Sequence, residues 1–153
     1  MIVSQIVRRR AADGKSLIVR LAVSGFMVFC GAMIYLSSRE TILFFDCVPE
    51  SVINMLNRYR ITGDSWFDYF MVYCLPDGLW YGALLLTQSA LLINTFWSKC
   101  VFLISIVLPF AWELLQLFDD VAGTFDPMDL LVYIITLSIF LIWFNCYQNY
   151  HHE

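Results

Sequence analysis

Asp77, Glu113, Gln116, Asp126 and Asp129 fall at or near the ends of apolar stretches, in a chain with almost no other charge at those places. Ionisable groups at membrane depth are costly and normally face a bundle interior or a watery cavity. Several carboxylates beside an amide oxygen have three chemistries open to them. They could ligate a hard cation such as Ca²⁺ or Mg²⁺, with Glu113, Asp129 and Asp77 as the ligands. They could bind a cationic ligand, or they could relay protons. Hydrolysis has less behind it. His151 and His152 stand in the C-terminal tail, and no Ser occupies a nucleophile motif. A general base could be Glu113 with a raised pKa, yet no nucleophile or oxyanion donor accompanies it. The residues therefore point away from an enzyme and require no cofactor.

Those side chains need apolar helices to hold them. The chain has 153 residues, of which 60% are hydrophobic and 14% charged. That composition belongs to membrane proteins, and the length holds a single bundle. The net charge of −4 argues against a nucleic-acid partner. The expected fold is an all-α membrane protein, a bundle of four transmembrane helices at about residues 17–37, 76–94, 98–118 and 127–145. Residues 1–16 form a basic N-terminal arm, 17–147 the transmembrane domain and 148–153 a short tail. The first span is too long for a signal-peptide core and lacks an A-x-A cleavage pattern, so it reads as an uncleaved anchor. Between the first two spans, 49–60 reads as a short amphipathic helix with Val52, Leu56 and Tyr59 on one stripe. Ser65 to Asp68 resembles a capping box that opens a second short helix over 66–74, interfacial or re-entrant.

Each acid has a local setting. Pro76 and Asp77 open the second span, where a missing N–H is tolerated and the helix dipole favours negative charge. Trp80 and Tyr81 follow one turn on and are candidates to line the same cavity. Pro109 removes a backbone bond in the third span and frees the carbonyl of Ser105 shortly before Glu113. Glu113 and Gln116, three residues apart, share a helix face. Glu113 lies roughly 22 Å along the helix from Ser98, inside the hydrocarbon. Asp126 followed by Pro127 is a helix start with Asp126 as N-cap. Asp126, and in part Asp77 and Asp129, are thus also explained as helix caps. Glu113 is not, and it could otherwise pair with Arg58 or Arg60 from the long loop.

Orientation follows from the basic residues. Arg8, Arg9, Arg10, Lys15, Arg20 and Lys99 fall on one side, Arg39, Arg58 and Arg60 on the other in the longer loop. The first set should be cytoplasmic, with both termini inside and the acidic patch outside. The Arg8–Arg10 run could also engage anionic lipid heads or a cytosolic protein partner. A homo-oligomer is compatible with all of this. Cys47 and Cys74 are candidates for a disulfide in an oxidising compartment, with two buried free thiols as the alternative.

Pro76-Asp77 with Leu79-Trp80-Tyr81, Trp112-Glu113 with Gln116, and Gly123-Thr-Phe-Asp126-Pro-Met-Asp129 together resemble the VanZ-like family of small bacterial membrane proteins. The resemblance covers about residues 76–140, less than half the chain. Gly78 and Tyr81 stand where many members carry basic or His residues, and no Arg lies between Gln116 and Asp126. The resemblance implies a polytopic helical protein of the bacterial inner membrane, in a family whose name member is linked to teicoplanin resistance. The expected function is an envelope protein with an outward acidic pocket. That pocket would bind a cationic or cell-wall/lipid-linked ligand and alter envelope susceptibility. The alternative is a membrane-embedded sensor or immunity subunit of a phage or bacteriocin defence system.

Overall fold

Apolar sequence with few breakers folds into helices because hydrocarbon offers the backbone no other hydrogen-bond partners. In the computed structural model, residues 14–38, 49–57, 65–91, 95–118 and 125–150 are described, and among them there is no strand. The elements are α1 (Gly14–Ser38), α2 (Glu50–Asn57), α3 (Trp66–Tyr69), a π-helical turn (Phe70–Cys74), α4 (Leu75–Leu91), α5 (Phe96–Leu115) and α6 (Pro127–Tyr150). Four helical stretches among the described residues are long and apolar enough to cross a membrane: Ser16–Ser38, Trp66–Leu91, Phe96–Leu115 and Pro127–Cys146. Their outward faces are apolar too, with Phe26, Phe29, Leu108, Ile139 and Ile142 all exposed. Such a surface suits lipid rather than water. These features define a multi-pass helical membrane protein.

The second span differs from expectation. It begins at Trp66, not at residue 76, because α3, the π turn and α4 form one continuous helix. Proline inside a helix normally collides with the carbonyl four residues back. Here the turn before Pro76 widens: Leu75 N–H bonds to Phe70 O, five residues back. That π turn accommodates the ring and lets the helix run through. The separate interfacial or re-entrant helix over 66–74 is thus the first part of the span itself. Asp77 consequently follows two preceding helical turns and does not stand at a free N-terminus. Ser65 still caps the start, accepting from Phe67 N–H at 3.3 Å.

The spans alternate in direction. Gly31 meets Trp80, Met27 meets Gly82 and Arg20 reaches Ser89, so α1 runs antiparallel to α4. Gly78 meets Val132 and Gly82 meets Thr136, so α4 and α6 run parallel. Phe102 against Phe140 and Phe110 against Tyr133 make α5 antiparallel to α6. Gly14 and Tyr150 therefore lie at the same end of the bundle. The core gathers Tyr81, Leu85, Phe102, Phe140 and Phe144 between α4, α5 and α6. Serines within the apolar helices close on their own backbone, as Ser105 does on Val101 O at 2.9 Å and Ser138 on Ile134 O at 2.7 Å.

Candidate functional site

The end of one helix and the starts of two others meet at one end of the bundle. Glu113 sits in the last turn of α5 and is only 3% exposed. Its Oε1 accepts the backbone N–H of Asp126 at 2.6 Å. Asp126 caps α6: its Oδ1 accepts from Met128 N–H at 2.9 Å, with Pro127 in the first helical position. Its other oxygen, Oδ2, accepts a short hydrogen bond from the hydroxyl of Tyr69 in α3. In a capping box, the acid three residues after the cap reaches back to the cap's own N–H. Asp129 holds that position, yet Glu113, from another helix, takes the N–H instead. Glu113, Asp126 and Tyr69 thus form one hydrogen-bonded chain across α5, α6 and α3.

Asp77 and Asp129 join the same neighbourhood. Asp77, Asp129 and Glu113 all act electrostatically on Tyr133, which stands one turn below Asp129 on α6. Asp129, Asp126 and Asp77 likewise act on Cys74 in the π turn. Acids from α4, α5 and α6 therefore converge. Beneath them lies an aromatic layer. Tyr133 meets Tyr81 at 5.4 Å and Phe110 at 5.8 Å, and Tyr81 meets Phe110 at 6.0 Å, all edge to face. The Tyr81 hydroxyl donates to Ile106 O at 3.0 Å, in the turn that Pro109 loosens.

The placement differs from the sequence expectation at several residues. Trp80 does not face the acids. It packs on α1, against Gly31 and 5.5 Å from Tyr35, with its Nε1 donating to Val28 O at 3.4 Å. Successive helical residues diverge by about 100°, and here Trp80 meets α1 while Tyr81 meets α5 and α6. Gln116 lies just past the last α5 turn, its N–H bonded to Trp112 O and Glu113 O at 3.2 Å. The lining of the large apolar groove of the bundle includes none of Asp77, Glu113, Asp126 or Asp129. Among the described residues, no three His, Cys, Asp or Glu side chains are grouped to hold a metal ion, so Glu113, Asp129 and Asp77 do not form a ligand set. Cys74 is a free thiol, fully buried because it faces inward on a continuous helix rather than lying in a loop. At Cys74 this is the free-thiol alternative of the sequence reading. Cys47, Arg8, Arg9, Arg10, Arg58 and Arg60 lie outside the described residues.

Tyr69 and Tyr133 were not among the expected residues. Tyr133 follows Asp129 by four, a helical spacing that signals a shared face. Tyr69 had no comparable signal, because its partner Asp126 is 57 residues away. Comparison with family models, curated proteins and solved structures finds no match for this chain.

Proposed function

We propose that this is a VanZ-like protein of the bacterial inner membrane, with both termini cytoplasmic and its acidic cluster facing outward. The cluster binds a cationic or cell-wall/lipid-linked ligand and alters envelope susceptibility. The observation that carries this reading is the burial of Glu113 at the end of α5, held on the Asp126 N–H, with Asp77 and Asp129 within electrostatic reach of the same Tyr133. Like charges from three helices repel when gathered at membrane depth. A positively charged group of a ligand would relieve that repulsion. The orientation rests on the basic residues of the N-terminal arm, Arg20 and Lys99.

The deciding variant is Glu113→Gln, which keeps an oxygen for the Asp126 N–H and removes the charge. Cells carrying it at matched membrane levels are compared with wild type for killing by glycopeptides and by a cationic peptide. The variant is expected to erase the wild-type change in susceptibility. An undiminished change would refute the reading.

A further inference from the structure

Both α1 and α6 pack on α4, α1 most extensively, and they have little direct contact with each other. Between them lies an open apolar groove of about 560 Å³. Gly78 and Gly82 form its floor, and Val23 and Ile139 stand in its two walls. The glycines let the walls come close: a Cβ on Gly82 would lie 2.6 Å from Met27, and one on Gly78 2.7 Å from Val132. One charged residue belongs to the lining, Arg20.

Arg20 closes the groove at the end away from the acids. It is 9% exposed. Its guanidinium donates to Ser89 O at 3.5 Å and lies 5.6 Å from the Trp143 ring centre. Contact with a carbonyl of α4 and an aromatic face of α6 fixes the cation across all three walls. Arg20 also lies four residues into the Ser16–Ser38 span, roughly 6 Å along the helix. That is the depth of the boundary between headgroups and hydrocarbon.

We propose that this groove holds one acyl chain of an anionic membrane phospholipid, whose phosphate engages Arg20. Length selects the occupant. The lining runs over residues 75–86 of α4 and 132–143 of α6, about 17 Å of helix. One leaflet of hydrocarbon is about 15 Å deep, whereas a transmembrane helix needs about 30 Å. Charge selects the head. A planar guanidinium matches a phosphate with two parallel hydrogen bonds, and basic pockets between transmembrane helices favour anionic heads. The lipid therefore comes from the leaflet on the Arg20 side, with its tail pointing toward the acidic end. This site is independent of the acidic cluster and of the function proposed for it.

The test uses the full chain in vesicles of equal phosphatidylcholine and phosphatidylglycerol, released for native mass spectrometry. Wild type should retain one phospholipid per chain, with phosphatidylglycerol favoured about five-fold, the effect of one basic side chain at an anionic surface. Arg20→Met keeps the side-chain stem and should bring the two lipids to parity. Ile139→Trp fills the groove from an exposed wall position and should remove the retained lipid whatever its head. Equal retention of both lipids by wild type overturns the proposal, as does undiminished phosphatidylglycerol on Ile139→Trp. A dimer that Ile139→Trp dissociates would place a second copy in the groove and overturn it as well. Circular dichroism checks folding, and if Arg20→Met fails to fold, Ile139→Trp alone decides.

Discussion

The α1–α4 interface and the junction of α3, α5 and α6 hold helices together by opposite means. Along α1–α4 the contact is made by absence. Gly31 leaves a hollow that Trp80 fills, and Gly82 leaves one for Met27. At the junction the contact is made by polar groups: Glu113 holds the Asp126 N–H and Tyr69 holds the Asp126 carboxylate. Lipid tails are as apolar as leucine, so burial alone does not drive helices together in a bilayer. Close packing and interhelical hydrogen bonds remain; α1–α4 leans on close packing, with the Arg20–Ser89 and Trp80–Val28 hydrogen bonds beside it, and the junction leans on hydrogen bonds. The close-packed interface tolerates no added volume. The polar junction depends on its acceptors.

The largest effect should come from filling the first region. Gly31→Leu puts a Cβ 2.5 Å from the Trp80 indole nitrogen, so the Trp80 ring or the helices must shift. Overpacking of this kind costs about 3 kcal/mol. Thermal unfolding in detergent micelles should show a marked drop in midpoint. An unchanged midpoint would mean that α1 is held elsewhere.

Removing the acceptor at the junction comes next. Glu113→Ala leaves the Asp126 N–H buried without its oxygen, a loss of about 2 kcal/mol. Glu113→Gln keeps an oxygen and should recover most of that in the same melts. Equal destabilisation by the two variants would show that the charge itself, not the acceptor, holds α5 to α6.

Tyr69→Phe should have the smallest effect, about 1.5 kcal/mol, for one hydrogen bond to a carboxylate. Its more local readout is faster hydrogen–deuterium exchange over residues 66–69, with α1 unaffected. Faster exchange in α1 as well would merge the two regions into one cooperative unit.

Much of this architecture is written plainly in the chain. Four apolar stretches gave four membrane-length helices, and Asp126-Pro127 marked the start of α6. Glu113 at the end of one span and Asp126 at the start of the next had to come together, because a short connection joins them. Other features depend on information that no local window contains. Pro76 looked like a helix start because proline suits a first turn; the π turn before it carries it at an interior position. Trp80 looked like a neighbour of the acids by sequence distance, whereas helical rotation and the hollow at Gly31 turn it toward α1. The groove beside α4 was invisible for a similar reason. It arises between two helices, α1 and α6, far apart in sequence.

The π turn over Phe70–Cys74 also sets the phase of everything that precedes it. A π turn accommodates one residue more than an α-helical turn. Were the helix regular throughout, the segment before it would be rotated by about one residue's worth of arc, near 100°. Tyr69 would then point away from the start of α6, and the Asp126 carboxylate would lose its hydroxyl. A single extra residue thus works as an indexing step. It places one side chain on a mark set by a helix that begins 57 residues later, without altering the face that α4 shows to α1.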